Sequence, residues 1–338
     1  SMPVQYDSIV GEHRAVREAA GLFDVSHMGQ IHLQGPAAIE TTERLVTRPV
    51  ASQKVGRVRY GLLCNEEGGV VDDVTIYRTG DDALFLCVNA ANIEKDYRWI
   101  VKHAPAEAGV RNRSDETGLL ALQGPKSGAI LARLAGPGLE GLRRYAFAEL
   151  EVAGATALVS RTGYTGSDGY EIYLSSGVTA RVFEALLEAG RGDGLVPVGL
   201  GARDTLRIEA GMPLYGHELD DTISPFEAGL GRFVKLDRGG FLGAEALVRR
   251  QAEGLRRTLV GFEVTGRGIA RAEYPIAVDG KEVGVVTSGA PSPTLDRAIG
   301  MGFVPPEHAD PGGSIDVLIR GRPTAARIVE TPFVKASG

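Results

Sequence analysis

Two adjacent carboxylates, Asp72 and Asp73, follow a glycine pair in the segment Tyr60-Gly-Leu-Leu-Cys-Asn-Glu-Glu-Gly-Gly-Val-Val-Asp-Asp-Val-Thr-Ile-Tyr77. The segment reads as a hairpin turned at Gly68-Gly69, and successive side chains on a strand point to opposite faces. Asp72 then shares a face with Val70, Val74 and Ile76, and Asp73 shares the other with Val71, Thr75 and Tyr77. A carboxylate among aliphatics is costly unless something pairs with it. Asp72 is therefore a candidate for proton transfer or for fixing a ligand. Two other readings fit the same pattern: an edge strand that turns Asp72 to solvent, or a structural carboxylate satisfied by backbone N–H groups.

Three more segments set polar side chains among glycines or aliphatics. Leu84-Phe-Leu-Cys-Val-Asn89 ends a strand with an amide that both donates and accepts. Thr162-Gly-Tyr164-Thr-Gly-Ser-Asp-Gly-Tyr170-Glu171-Ile-Tyr173 combines three tyrosines with a carboxylate, and Gly199-Leu-Gly-Ala-Arg203-Asp-Thr-Leu-Arg207 opens a helix with two arginines one turn apart. Each alone is explained by turns, packing and pairing of the arginines with Asp204 or Glu209. Together they offer what a pterin-like ligand with an acidic tail requires: amide and carboxylate for ring edges, tyrosines for stacking and arginine for a carboxylate.

Familiar catalytic motifs are missing. The six histidines lack the spacing of a zinc site, so no metal is expected. There is no nucleophile elbow and no phosphate loop, and Gly199-Leu-Gly201 lacks the third glycine of a dinucleotide fingerprint. Net charge is −6 and the sequence pI is about 5.6, which argues against nucleic acid or anionic lipid as partner. No apolar run reaches the roughly 20 residues that cross a bilayer. Cys64 and Cys87 form no C-x-x-C pair, and a reducing cytoplasm is the expected compartment.

The elements that must position these residues are short. A helix is expected from Glu12 to Leu22. Ile31-His-Leu-Gln-Gly-Pro36 and Leu120-Ala-Leu-Gln-Gly-Pro125 repeat a strand, Gly-Pro, helix pattern at an offset of 89 residues, with each proline opening its helix. A third strand-to-helix unit follows, with Tyr170 to Leu174 as strand and Thr179 to Ala189 as helix. Duplicated antiparallel α+β units account for this better than a doubly wound sheet. After a helix at Gly243 to Glu253, six strand candidates follow, with Asp279-Gly280 as a type I′ turn. They indicate a small barrel or sandwich as a separate C-terminal domain.

The chain resembles the T-protein of the glycine cleavage system, a tetrahydrofolate-dependent aminomethyltransferase family. The resemblance is carried in order by Glu12 to Met28, Gly68-Gly-Val-Val-Asp-Asp73, Thr162-Gly-Tyr-Thr-Gly166 with Gly169-Tyr-Glu-Ile172, Gly199 to Arg207, and Thr287-Ser-Gly-Ala-Pro-Ser-Pro-Thr-Leu295. It implies an α+β fold: two ferredoxin-like α+β lobes and a C-terminal β-barrel in a three-lobed cloverleaf around a folate channel. Residues 1–245 would form the catalytic region of two interleaved lobes, the second at about 48–144, and residues 246–338 the barrel.

The implied reaction moves a one-carbon unit from the aminomethyl-lipoyl arm of the H-protein to tetrahydrofolate and releases ammonia. By the same resemblance Asp72 would be the catalytic carboxylate, Glu171 and Arg203 would bind substrate, and Asn89, Tyr60, Tyr164, Tyr215 and Met28 would line the pocket. The family has a further stretch before Met2, and Ser1-Met2 reads as a cloning remnant, so a native leader is expected to be missing. The family also often carries an aromatic where this chain has Arg232. Relatives with this fold demethylate sulfonium or methyl ether substrates onto tetrahydrofolate and remain an alternative. The iron–sulfur assembly relatives carry a reactive cysteine, which the stretch Gly239 to Glu245 lacks.

Overall fold

The computed structural model describes residues 2–335. Two sheets packed face to face and one closed barrel make up the three lobes. The first sheet has five strands in the order β3-β4-β5-β2-β6: β2 Gly29–Gln34, β3 Val58–Cys64, β4 Val70–Arg78, β5 Ala83–Val88 and β6 Val110–Asn112. Its strands thus span residues 29–112, so the bounds of 48–144 need correction: they omit β2, which pairs with β5 and β6. The second sheet has the order β11-β1-β7-β10-β9-β8. It takes β1 Ala20–Asp24, β7 Thr117–Gln123, β8 Phe147–Val152, β9 Ala155–Ser160, β10 Gly169–Ser175 and β11 Leu195–Pro197.

Helices cover the outer faces and bridge to the barrel. They are α1 Ile9–Glu18, α2 Ala38–Leu45, α3 Ile93–His103, α4 Ser127–Ala132, α5 Thr179–Gly190, α6 Leu200–Glu209 and α7 Ala244–Glu253. The helix expected from Glu12 to Leu22 is therefore shorter, because the chain enters strand β1 at Ala20. The Gly-Pro repeat forms two equivalent turns, yet Pro36 and Pro125 each precede the helix N-cap residue, Ala37 and Lys126, instead of opening the helix. A Cβ at Gly35 would lie 2.3 Å from the Glu107 carbonyl oxygen, and one at Gly124 would lie 2.6 Å from that of Ala19. Both glycines also have positive φ, so a side chain at either is excluded twice over.

Each sheet packs one face on its own helices. The faces that meet between the sheets bury Val58, Tyr77, Phe85 and Cys87 of the first against Phe23, Leu119, Ala121 and Tyr173 of the second. Tyr77 stacks on Phe85 with ring centroids 4.4 Å apart. Both faces of the first sheet are therefore largely covered, and along β4 only Asp73 and Thr75 keep part of their surface accessible.

The barrel is formed by β12 Thr258–Val264, β13 Pro275–Val278, β14 Lys281–Ser292, β15 Arg297–Val304, β16 Ser314–Ile319 and β17 Arg322–Val329. Asp279 and Gly280 turn between β13 and β14 with both φ positive, as a type I′ hairpin requires. Helix α6 joins the barrel to the sheets through buried charge. Arg207 donates to Glu218 at 2.9 Å and to Ser288 Oγ at 2.6 Å. Glu209, wholly buried, accepts from Arg17 of α1, Ser292 and Thr294, and lies 3.1 Å from His13 Nε2.

Burial works against the Glu209 charge, but hydrogen bonds from His13, Ser292 and Arg17 and the His13 charge outweigh it and hold the carboxyl at about 2, against an ordinary 4.5. A depressed carboxyl contributes stability that is complete above its unfolded value and is lost as pH falls through its folded one. The difference corresponds to roughly 3 kcal/mol at neutral pH. Glu209→Gln is therefore expected to lower the unfolding free energy by about 3 kcal/mol at pH 7 and to flatten the loss of stability between pH 4.5 and 2. Denaturant titrations across that range check this, and unchanged stability at neutral pH would refute it.

Candidate active site

The hairpin β3–β4 carries the pair of aspartates, and a bulge sets their aim. Leu63 faces Asp72 and Cys64 faces Val70, which leaves Val71 as the extra residue. Val70 accordingly packs with Leu62, Cys64 and Leu219, whereas Val71, Val74 and Ile76 pack toward the helices. The expected alternation thus holds from Asp72 onward and fails at Val70 and Val71.

Asp72 lies on the helix side of the sheet with no exposed surface. Its oxygens accept from the Asn89 N–H at 2.9 Å, Asn89 Nδ2 at 2.9 Å and Asn92 Nδ2 at 2.7 Å. That is the structural carboxylate satisfied by N–H groups, one of the three arrangements compatible with the sequence. Asp73 points the other way and keeps part of its surface accessible. It accepts from Tyr60 Oη at 3.1 Å and from Asn89 Nδ2 at 2.7 Å. The expectation that Asp72 is the residue turned toward a ligand is corrected by this register: aliphatic neighbours mark the face covered by helices, and Asp73 takes the face between the lobes.

Around Asp73 the lobes converge. Glu171 projects from β10 and accepts from Thr162 Oγ1 at 2.5 Å and from Tyr77 Oη at 3.4 Å. Arg203, in the first turn of α6, stands with its guanidinium 4.7 Å from the Tyr164 ring centroid. Among the described residues no acceptor hydrogen-bonds the Arg203 side chain. Of the pairings anticipated for the two arginines, Arg207 with Asp204 forms, and Arg207 also takes Glu218, whereas Glu209 takes Arg17 instead. Arg203 is left with a planar fork of donors free for a carboxylate.

Tyr164 donates to the Pro213 carbonyl at 2.5 Å, which fixes its ring beneath that guanidinium. Met28 packs at the edge of the intersheet core. Tyr215 packs in the same cluster as Tyr60 and receives a 2.5 Å hydrogen bond from Lys95 Nζ. Tyr60 also lines a cleft of about 650 Å³ walled by Arg48, Lys54, Arg57, Arg59 and Arg232.

The charges are tuned by enclosure. Burial, followed by the Asp72 charge, raises Asp73 to about 7, although the Asn89 and Tyr60 hydrogen bonds pull it down. Glu171 is raised by burial, against Thr162 and Arg203. Arg203 is lowered by burial. Asp73 is thus poised to take or give a proton near neutral pH. Thr162, Asn92 and Asp96 were not anticipated from sequence. The spacing Asn89-x-x-Asn92 beyond the strand end was the one available signal for Asn92. No group of three or more His, Cys, Asp or Glu among the described residues is arranged to hold a metal ion.

Residues 1–238 match the family described as the GCVT N-terminal domain, and residues 257–335 match the glycine cleavage T-protein C-terminal barrel domain. The chain belongs to the glycine cleavage T-protein family. It is 49% identical to an aminomethyltransferase of Halothermothrix orenii, across 99% of this chain and 94% of that one. It is 52% identical to an aminomethyltransferase of Symbiobacterium thermophilum, across 99% and 92%. Its fold matches the crystal structure of glycine cleavage system aminomethyltransferase T from Bartonella henselae with a TM-score of 0.93 at 34% identity, covering 99% of this chain and 92% of that one. This T-protein family member is accordingly a transferase, an aminomethyltransferase of glycine cleavage, and nothing favours the demethylase alternative.

Because the Tyr60 hydrogen bond favours the ionised form of Asp73, Tyr60→Phe is expected to raise the Asp73 pKa above its value of about 7. Carbon NMR titration of carboxyl-labelled aspartate in the ligand-free protein measures it. A downward shift would contradict the contact.

Proposed function

We propose that this aminomethyltransferase uses tetrahydrofolate as acceptor and the aminomethyl-lipoyl arm of the H-protein as donor, with Asp73 as the reacting carboxylate. The observation that carries this reading is that Asp73, Glu171 and an unpaired Arg203, partly accessible and from three separate elements, lie near enough for Arg203 to act on the charge of Glu171 and for Arg203 and Asp73 both to act on Tyr164. Glu171 suits the donor edge of a pterin ring, and Tyr60 and Tyr164 offer faces for stacking. Arg203 suits an acidic or carbonyl group of the ligand. Met28 and Tyr215 complete the lining. The arginine-rich cleft beside Tyr60 suits an anionic tail, with Arg232 supplying charge where relatives stack an aromatic.

The chemistry balances as follows. Folate N5 forms the new carbon–nitrogen bond and gives up its proton, while the thioether sulfur leaves the methylene carbon with the bonding electrons and takes up a proton to become the thiol. The amine takes up a proton and departs with its bonding electrons as ammonia, and N10 closes the ring on the same carbon and loses its proton, so that the two protons released match the two taken up. An ionised Asp73 stabilises the positive charge that develops on the carbon and accepts that last proton. Asp72 supports the site from behind the strand. Free, buried Cys64 and Cys87 agree with a cytoplasmic location. No helix among the described residues is long and apolar enough to cross a membrane.

Asp73→Asn is expected to lower kcat by about 10²- to 10⁴-fold with a smaller effect on folate binding. Asp72→Asn places an amide against three N–H donors and is expected to cost stability, about 0.5–3 kcal/mol, with the smaller loss of turnover. The assay follows methylenetetrahydrofolate formed from aminomethyl-lipoyl H-protein. A dead Asp72→Asn beside an active Asp73→Asn would reverse the assignment.

For the parent enzyme kcat/KM should rise with pH through a value near 7, since the ionised Asp73 is the active form. That limb should be missing in Asp73→Asn.

Tetrahydrofolate at about 100 times its Kd should stabilise the fold by roughly 2.7 kcal/mol. Thermal melts with and without reduced folate test this, and an unchanged melt in folded protein would remove folate from the reading.

A further inference from the structure

Behind β4, on the side away from the ligand space, helix α3 presents a second acid to Asp72. Asp96 has no exposed surface, and neither of its oxygens meets a hydrogen-bond donor from the protein. Its neighbour Lys95 does not serve it, because Lys95 Nζ is held by the Val71 carbonyl and Tyr215 Oη, both at 2.5 Å. The groups that bear on Asp96 are Asp72 and Asp73 from β4, Lys95 from its own helix and Tyr215 from the segment after α6.

An ionised carboxylate has about four acceptor sites and no proton to give. Asp72 already receives three N–H donors, two from Asn89 and one from Asn92. The Asn89 carboxamide spends its Nδ2 group on both strand carboxylates, 2.9 Å from Asp72 and 2.7 Å from Asp73. Two acids therefore share one amide and a third, Asp96, bears on the first from behind, and like charges that close do not all ionise. Burial first, and then the Asp72 charge, push Asp96 far above the usual carboxylate range, which makes it the member that keeps its proton.

We propose that Asp96 is a positioning residue for Asp73: its protonated carboxyl donates to Asp72, and Asp72 so fixed holds the Asn89 carboxamide with one Nδ2 hydrogen on each strand carboxylate. Hydrogen bonds run from Asp72 through Asn89 and Asp73 to Tyr60, and the proposed Asp96 bond would extend that chain to the helix layer. Asp96 touches no ligand. Its effect on catalysis rests on the reading of Asp73 as the reacting carboxylate, but its protonation does not.

Two variants separate the possibilities. Asp96→Asn keeps the shape and a hydrogen-bond donor, is permanently neutral, and has no proton to lose. Asp96→Leu keeps bulk and removes the donor. Infrared difference spectra of the ligand-free parent against Asp96→Asn, at about pH 9 where a group titrating near 7 is ionised, should show a protonated-carboxyl stretch that the variant lacks. No such band in the parent, or its persistence in the variant, overturns the proposal whatever Asp73 does.

In turnover, Asp96→Leu should lose about 10- to 100-fold in kcat with folate binding changed far less, and Asp96→Asn should recover most of that loss. The limb of kcat/KM near pH 7 should stay in place in Asp96→Asn, since one neutral group replaces another. Movement of that limb to lower pH would mean a negative charge had been removed, and loss in Asp96→Asn equal to that in Asp96→Leu would leave the donor no role; either result overturns the proposal. If Asp96→Leu does not fold, the infrared and pH comparisons with Asp96→Asn still decide. An active Asp73→Asn enzyme would fault the catalytic reading while leaving the infrared result to judge Asp96 on its own.

Discussion

A strand buried on both faces gives two consecutive residues entirely different surroundings, and this site depends on that constraint. In β4 one face is sealed by helix α3 and the aliphatic cluster around Val74 and Ile76, and the other looks into the space where the lobes meet. Asp72 and Asp73 are the same residue type one position apart, yet one has its oxygens filled by three N–H donors and the other by two contacts at the edge of an opening. Peptide geometry alone divides the labour. The bulge at Val71 keeps the division where it is needed, by letting the hairpin change phase before the aspartates.

The charges of the site are held apart before any ligand arrives. Glu171 is anchored by Thr162 and Tyr77, Arg203 stands over Tyr164, and Asp73 is shared by Tyr60 and Asn89. None of the three is neutralised by another through a direct bond. Fixed groups in an enclosed space act on a developing charge without first reorganising, which is the form of electrostatic assistance that costs least at the moment of reaction. Under the proposed function the unpaired guanidinium would favour binding of an acidic ligand group, because an enclosed cation without a partner is a standing cost.

Much of this was legible in the sequence. The Gly-Pro repeat, the strand spacing of the last third and the turn at Asp279-Gly280 gave the lobes and the barrel, because turn chemistry is local and reads directly from residue type. The segments around Glu171 and Arg203 stood out because polar residues among glycines are unusual. The aspartate pair misled for a physical reason. Alternation tells that two residues face apart, but it does not tell which face is covered by helices and which by a neighbouring lobe; both are apolar in sequence. The roles of Asn92 and Asp96 were hidden for a related reason. They sit on a helix and its cap, and only tertiary packing brings them behind β4.

Helix α6 serves two masters. Its first turn holds Arg203 over Tyr164, and its last turn is clamped to the barrel through Arg207 with Ser288 and Glu209 with Ser292. The one helix thus ties the position of the guanidinium to contacts made on the barrel at its other end. The barrel contributes neither aspartate, nor the glutamate, nor the arginine, yet it acts as the footing on which the arginine's aim is set. Ser288 and Ser292 of β14, remote from both aspartates, are therefore part of what sets the arginine's place.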